Sequence, residues 1–119
     1  MKKLVVKVMT GSDDPERTAQ AFTVAATAIA SGVEVSLWLT SEATLLALPG
    51  RAEAFELPHS APLHELRDAI LAAGSITVCT QCAARRNISE ADLIDGITIK
   101  GSASFVAEIM NEAVQVLVY

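Results

Sequence analysis

Runs of aliphatic residues that suit β-strands alternate along this chain with segments that have the periodicity of amphipathic helices. The strand-like runs occur at residues 4–9, 33–39, 75–78, 97–99 and 114–119. Between them, apolar residues recur at steps of three or four, as Ala19, Phe22 and Ala26 do in the first such segment. Strands that alternate with helices pack as a parallel sheet with helices on both faces. The sequence therefore predicts a single α/β domain over residues 1–119, with a mostly parallel sheet of about five strands.

Turn and capping residues mark the ends of the predicted helices. Pro15 suits the first turn of a helix, and an aspartate directly before it can serve as the N-cap. This first helix is predicted at residues 16–31. Further helices are predicted at residues 40–48 and 62–74 and from Ser102 onward. In the last of these, Phe105 and Ile109 are expected to face inward. The segment 51–60 has no clear periodicity and is predicted to be a loop.

Composition restricts both the core and the partners of this domain. Hydrophobic residues make up 51% of the 119 residues, but aromatic residues only 4%, so Val, Ile, Leu and Ala are expected to build the core. A small chain that is this apolar often buries part of its surface against another subunit, and we expect a homo-oligomer. The net charge of −5 argues against nucleic acid and anionic membranes as partners.

The sequence predicts neither a targeting segment nor a membrane span. The apolar run at residues 4–9 is interrupted by Lys7 and is followed too soon by polar residues to be a signal peptide. No stretch approaches the roughly 18 uninterrupted apolar residues of a membrane-spanning helix. Two cysteines do not make a secreted disulfide scaffold. We therefore predict a cytoplasmic protein whose thiols are largely reduced.

The only two cysteines, Cys79 and Cys82, follow the third predicted strand with the spacing Cys-x-x-Cys. The sequence changes here from an aliphatic strand to a helical segment that contains alanine and arginine, so Cys79 is expected at a strand-to-helix turn. The positive end of a helix stabilises a thiolate, which is the form that attacks sulfur. We therefore expect the pKa of Cys79 to lie below the free-cysteine value of about 8.5, although burial has the opposite effect.

Other interpretations of the cysteine pair lead to different chemistry. A structural zinc ion needs about four ligands, and the only histidines, His59 and His64, come from a different segment, so no metal is expected. A thioredoxin-like motif would follow the first strand of its domain, whereas this motif follows the third. Cys79 and Cys82 can also be inert core residues, because a free cysteine packs as a small hydrophobic side chain.

A second polar loop, which contains Gly11 and Ser12, follows the first predicted strand. Sites in parallel sheets form at the carboxyl ends of the strands, so this loop and the cysteines are expected at the same edge. The loop has the composition of a simple turn with an N-cap, and binding of a small anion or metabolite beside Gly11 is the alternative. No Gly-x-Gly-x-x-Gly fingerprint is present, and no cofactor is expected.

Residues 79–88 have the sequence Cys-Thr-Gln-Cys-Ala-Ala-Arg-Arg-Asn-Ile, and Asp95-Gly96 and the segment 102–119 follow them. This arrangement resembles the DsrE/DsrF-like family, which includes sulfur-relay subunits. The resemblance covers most of the chain in the order of its elements, and it implies a small α/β domain of flavodoxin-like type. It also implies a homo-oligomer, either a trimer or a hexamer made of two trimers, and partner proteins that act as sulfur donor and acceptor.

The resemblance also assigns roles to individual residues. In the relay members a reactive cysteine precedes the first arginine of an Arg-Arg pair by six positions, and Cys79 and Arg85 have this spacing. Cys82 matches a second cysteine of some hexamer-forming relatives. Asn87 replaces the usual glycine, and asparagine is the next best residue for a left-handed helix end. Arg85 and Arg86 either lower the pKa of Cys79 or form a solvated helix end.

The expected chemistry is transfer of sulfane sulfur. Cys79 accepts the sulfur as a persulfide, and then either a partner thiol takes the outer sulfur or Cys82 forms a disulfide with Cys79. Whether the chain is an enzyme or a carrier stays open, as do two other functions. One is a thiol-disulfide redox protein or sensor, and the other is a non-catalytic oligomeric domain that binds a small anion or metabolite. The strand 33–39, with Trp38 on its less buried face, and the helix 40–48 are the predicted subunit interface.

Overall fold

Five parallel strands form the central sheet, as the sequence pattern predicts. They are β1 (Lys3–Val8), β2 (Glu34–Leu39), β3 (Ser75–Cys79), β4 (Thr98–Lys100) and β5 (Val114–Val118). Their order across the sheet is β4-β3-β2-β1-β5, and every neighbouring pair is parallel. This architecture comes from a computed structural model, which describes residues 2–119. The predicted α/β class and the parallel sheet are confirmed.

Five α-helices and two 3₁₀ helices connect the strands. The α-helices are α1 (Pro15–Ala30), α2 (Arg51–Ala54), α3 (Leu63–Ala73), α4 (Thr80–Arg85) and α5 (Ser102–Ile109), and the 3₁₀ helices are Ser41–Ala47 and Glu90–Asp92. Pro15 begins α1, and the Asp14 carboxylate accepts a hydrogen bond from the Arg17 N–H at 3.3 Å, as expected for an N-cap. None of the helices within residues 2–119 combines the length and apolar character that crossing a bilayer requires.

The two faces of the sheet differ in chemistry. One face presents aliphatic side chains such as Val6, Leu37 and Val78, and it packs against α1 and α3 to form the main core. Burial of each large aliphatic side chain contributes about 1.5–3 kcal/mol, so this face supplies most of the driving force for folding. The opposite face carries Lys7, Trp38 and, at the end of β3, Cys79. Lys7 pairs in register with Trp38, and Trp38 pairs in register with Thr77, which lies two residues before Cys79.

Helix α5 covers this second face without contributing a fully buried residue. Phe105 and Ile109 are half-buried, so they face inward as predicted but do not enter the main core. Phe105 packs against Trp38, with ring centroids 5.2 Å apart and ring planes at 83°. The second face is therefore only partly covered by apolar contacts.

The predicted location of the subunit interface on β2 is wrong. This strand lies in the centre of the sheet, and Trp38 is only 4% exposed because α5 packs over it. The following 3₁₀ helix, Ser41–Ala47, is also largely inside the domain, with Ala43, Leu46 and Ala47 buried. Ser36 and Trp38 alternate with aliphatic residues along β2, but both are buried, so this alternation does not indicate an exposed face.

The segment 51–60, predicted as a loop, begins with the single helical turn α2. The Arg67 guanidinium is buried and donates two hydrogen bonds to the Glu53 carboxylate, at 3.1 and 3.0 Å. This bidentate pair ties α2 to α3, and Ala52 is buried beneath it. A helix of one turn is unstable by itself, so tertiary contacts fix its conformation and no periodicity reveals it.

Candidate functional site

Cys79 is the last residue of β3 and the N-cap of α4, which confirms the predicted strand-to-helix turn. Its backbone is extended, with φ −66° and ψ 130°, and α4 begins at the next residue, Thr80. The side chain is partly exposed at the carboxyl edge of the sheet, and its thiol is free. In register beside it on the edge strand β4 lies the exposed Lys100. A partly exposed thiol at a sheet edge can be reached by a reactant.

The pKa of Cys79 is lowered by its surroundings. Burial raises the pKa of the thiol, but the N–H and thiol of Cys82, the N–H of Gln81 and the Lys7 ammonium together lower it below the ordinary value. The Cys79 thiol forms no capping hydrogen bond with the N–H groups at the start of α4. The donors of the first turn of α4 therefore act mainly on the charged sulfur. This direction agrees with the prediction from the sequence, because electrostatic stabilisation outweighs desolvation.

Cys82 is buried on the inner side of α4, with 7% of its surface exposed. Its sulfur accepts a hydrogen bond from the Ser41 N–H at 3.2 Å. Ser41 has a left-handed backbone, with φ 51°, which directs this amide at the thiol. The two cysteines therefore differ in access, because Cys79 faces the sheet edge and Cys82 lies between α4 and the 3₁₀ helix Ser41–Ala47.

A small cavity adjoins Cys79 on the polar face of the sheet. Its volume is about 40 Å³, and its lining residues are Lys7, Trp38, Thr40, Cys79, Ser102 and Phe105. The Lys7 ammonium lies over the Phe105 ring, 5.3 Å from its centroid, in a cation–π arrangement. The cavity thus combines a cation, two hydroxyl-bearing residues and two aromatic walls beside the thiol of Cys79.

The wall of this cavity is held in place by Glu108 of α5. Its carboxylate accepts hydrogen bonds from the Trp38 indole at 2.7 Å and the Ser36 hydroxyl at 3.0 Å, and it pairs with the Lys3 ammonium at 2.8 Å. Burial raises the pKa of Glu108, but its contacts with Lys3, Trp38 and Ser36 lower it below its ordinary value. Glu108 is therefore charged and fixes α5 on the sheet.

The two arginines of the motif have different surroundings. The Arg86 guanidinium donates to the Cys82 carbonyl at 3.2 Å and to the Glu42 carboxylate at 3.4 Å, which ties the end of α4 to the 3₁₀ helix Ser41–Ala47. Arg85 is exposed. The structure therefore gives Arg86 a structural role at the end of the helix and leaves Arg85 at the surface.

Asn87 closes α4 in the left-handed conformation that the sequence predicts, with φ 55°. The Ile88 N–H donates to the Ala83 carbonyl at 2.9 Å, and the Asn87 N–H donates to the Ala84 carbonyl at 3.1 Å. These two bonds form a Schellman motif, which satisfies the last carbonyls of a helix. The replacement of glycine by asparagine therefore preserves the sharp end of this short helix.

Gly11 and Ser12 lie in a packed turn beside Glu42 and do not line the cysteine cavity. The Gly11 N–H donates to the Asp13 carboxylate at 2.7 Å, and the Gly11 carbonyl accepts from the Thr18 hydroxyl at 2.9 Å. A Cβ on Gly11 would lie 2.8 Å from the Glu42 carbonyl oxygen, so the position requires glycine for close packing. Ser12 is exposed and lines a separate shallow pocket with Asp13, Glu42 and Arg51.

The sequence pattern does not predict four of the residues that line the site. Lys7, Trp38, Ser102 and Phe105 come from three different segments, and only the sheet and α5 bring them together. One signal was present: Lys3 and Lys7 interrupt an aliphatic strand at even spacing, which places both on one face. Within residues 2–119, no three His, Cys, Asp or Glu side chains gather in a way that would hold a metal ion.

Comparisons with known proteins agree with the architecture. The model of the DsrE/DsrF-like family matches residues 2–119.

The chain is similar to the ychN protein from E. coli, with a TM-score of 0.83, 20% identity and coverage of 100% of both chains. It is also similar to the protein of unknown function MTH1491 from Methanobacterium thermoautotrophicum, with a TM-score of 0.74, 11% identity and 100% coverage of both chains. A third structure, the protein of unknown function BT1422 from Bacteroides thetaiotaomicron, has a TM-score of 0.61 and 16% identity over 99% of this chain and 95% of that one. At these identities the structures establish the fold alone. No curated protein matches the chain.

Proposed function

Because this chain belongs to the DsrE/DsrF-like family, we propose that it handles sulfane sulfur, carried as a persulfide on Cys79. The observation that carries this proposal is the position of Cys79 at the accessible end of β3, where its pKa is lowered despite partial burial. A thiolate at neutral pH is the form of cysteine that attacks sulfur.

Loading of the carrier is a thiolate attack on a donor persulfide. The Cys79 thiolate attacks the outer sulfur of the donor, a bond forms between the two sulfurs, and the donor's inner sulfur leaves as a thiolate. No net oxidation occurs, because the sulfane sulfur moves with its oxidation state unchanged. The persulfide proton passes to the departing thiolate or to water. Unloading is the same step with an acceptor thiolate as the attacking group.

Cys82 acts as the second thiol. Its N–H and thiol support the charged form of Cys79, and the Ser41 N–H holds its sulfur in place. When no acceptor is present, the Cys82 thiolate can attack the inner sulfur of the Cys79 persulfide, which releases hydrosulfide and leaves a Cys79–Cys82 disulfide. An external dithiol must then reduce this disulfide. Burial of Cys82 makes it slower than Cys79 towards reactants from solution.

The difference in exposure between Arg85 and Arg86 indicates which of them contacts a partner protein. Arg85 is the arginine of the motif that lies free at the surface, so we assign it to contact with the sulfur donor or acceptor protein, while Arg86 positions α4. A thiolate carrier of this kind requires a reducing compartment, and we therefore place the protein in the cytoplasm.

A homo-oligomer is part of this proposal, as a trimer or a hexamer. Exposed apolar side chains lie on α5 and β5: Val106, Met110 and Val118 are 52%, 76% and 58% exposed. Val118 pairs in register with Lys7, so Val118 lies on the face that α5 only partly covers. This surface replaces the β2 location that the sequence suggested for the interface.

A thiol-disulfide redox function is the second candidate. It is favoured by the positions of Cys79 and Cys82 in the first turn of α4, because residues at i and i+3 of a first helical turn can meet disulfide geometry. Binding of a small anion beside Gly11 has less support, because the Gly11 N–H is already bonded to Asp13 and the Glu42 carboxylate lies nearby.

Mass spectrometry after incubation with glutathione persulfide tests the function. The wild type and Cys82→Ser should gain the mass of one sulfur atom, and cyanide should remove it. Cys79→Ser should gain none. Equal loading of both single variants would contradict the assignment to Cys79. Formation of a disulfide without any cyanide-labile sulfur would favour the redox function.

A further inference from the structure

The Lys7 ammonium has no carboxylate partner in the described part of the chain. Within the part of the chain from residue 2 to 119, ion pairs involve Lys3, Arg17, Arg67 and Arg86, and none involves Lys7. Its ammonium lies over the Phe105 ring and lines the same cavity as Cys79. Lys7 is half-buried, and no carboxylate among residues 2–119 pairs with its ammonium. Such a cation can pair with an anion that forms only during the reaction.

The size and walls of the cavity restrict that anion. A cavity needs roughly 10–15 Å³ of accessible volume to hold one water-sized atom or molecule. The space of about 40 Å³ beside Cys79 therefore admits a small group of about three water-sized atoms and is too small for a peptide or a nucleotide. Trp38 and Phe105 form its aromatic walls. The hydroxyl-bearing residues Thr40 and Ser102 are the other polar groups of its lining.

We propose that this cavity holds the outer sulfur of the Cys79 persulfide, with the Lys7 ammonium as its counter-ion. This inference rests on the function proposed above and specifies the residue that stabilises the charge of the bound sulfur. The S–S bond is about 2 Å long, so the outer sulfur lies one bond beyond the thiol that lines the cavity. The aromatic walls protect the sulfur from water, and Lys7 stabilises its negative charge.

The charge of Lys7 is tested by substitution in the Cys82→Ser background, where only Cys79 reacts. Glutathione persulfide is the donor, and the rate of gain of one sulfur atom is followed by mass spectrometry at pH 7. We expect Lys7→Met to slow loading about tenfold, because the ammonium no longer stabilises the attacking thiolate and the charged outer sulfur. Lys7→Arg should restore most of the rate. Lys100→Met is the matched control, since Lys100 lies beside Cys79 in register but outside the cavity lining.

The outcomes separate this inference from the proposed function. In the Cys82→Ser background, equal loading rates with and without Lys7→Met would overturn the role of Lys7, while the persulfide on Cys79 would stand. Absence of any cyanide-labile sulfur on the wild type would refute the function, and the inference with it.

Discussion

The indole N–H of Trp38 donates a hydrogen bond of 2.7 Å to the carboxylate of Glu108. This bond connects the central strand of the sheet to α5, a helix that has no fully buried residue. A hydrogen-bonded carboxylate, rather than a fully buried apolar side chain, therefore attaches α5 to the sheet. Because Phe105 of the same helix forms a wall of the Cys79 cavity, the geometry of the site depends on this carboxylate.

Substitution of Glu108 should loosen α5. Hydrogen bonds to charged groups contribute about 1.5–3 kcal/mol each, and Glu108→Ala leaves the buried Trp38 and Ser36 donors without a partner. We expect the free energy of unfolding to fall by about 2–3 kcal/mol, measured by urea denaturation. Glu112→Gln, an exposed acid just beyond the same helix, is the control and should change stability by less than about 0.5 kcal/mol.

The contribution of Glu108 should also depend on pH. Its pKa is lower in the folded protein than in the unfolded chain, so its stabilisation is complete above the unfolded value and is lost as the pH falls through the folded value. The difference in unfolding free energy between the wild type and Glu108→Gln should therefore be largest near neutral pH and shrink below about pH 4.5. A difference that is constant from pH 7 to pH 3 would contradict the charged state of Glu108.

The lowered pKa of Cys79 predicts a specific alkylation profile. In Cys82→Ser, the rate of reaction with iodoacetamide should rise with pH around a midpoint below the free-cysteine value of about 8.5. Lys7→Met in the same background should move this midpoint upward, because the ammonium contributes to the lowering. A midpoint at or above the free value would mean that desolvation dominates. The thiolate mechanism would then lose its main physical support.

The two arginines of the motif should have separable effects. Arg86→Ala removes the bonds to the Cys82 carbonyl and to Glu42, and we expect it to lower the unfolding free energy by about 1 kcal/mol. Arg85→Ala should change it by less than about 0.5 kcal/mol, since this side chain is exposed. Arg85→Ala should instead slow transfer to a protein partner while loading from glutathione persulfide stays unchanged. Equal stability losses for both variants would refute the distinction.

Gly11 should tolerate no side chain. In Gly11→Ala the new Cβ meets the Glu42 carbonyl oxygen at 2.8 Å, so the backbone must move, and overpacking of this kind costs about 1–3 kcal/mol. Thermal or urea denaturation measures the loss. Gly101→Ala is the comparison, because its φ is −97° and its Cβ would approach only the Thr80 hydroxyl, at 3.7 Å. A loss for Gly11→Ala no larger than for Gly101→Ala would contradict the close-packing role.

The exposed apolar surface of α5 and β5 predicts the assembly. Light scattering of the wild type should give the mass of a trimer or a hexamer at micromolar concentration. Met110→Glu places a charge on this surface and should shift the mass towards the monomer. Gln20→Glu adds the same charge at an exposed position on α1 and should leave the mass unchanged. A monomeric wild type would refute the oligomer, and an intact oligomer of Met110→Glu would refute only the location of the interface.

The order of strands and helices was predictable because aliphatic runs and helical periodicity are local properties of the sequence. The strand-to-helix turn at Cys79 and the left-handed end of α4 at Asn87 were predictable for the same reason. A turn requires particular residues at particular positions, whatever the rest of the fold. Helix α2 was not predictable, because one turn of helix depends on the pair formed by Arg67 and Glu53.

The sequence by itself thus determined the α/β class, the parallel sheet and the place of the cysteines along the chain. Only the tertiary structure decided which residues surround Cys79. Lys7, Trp38 and Phe105 are far apart in sequence, and they meet because strand register aligns β1 with β2 and because Glu108 fixes α5 over both. The hydrophobic pattern predicts that a side chain is buried, but it does not predict which residues bury it. The partner of a buried polar group can lie far away in the sequence, so only the assembled sheet determines which residue it is.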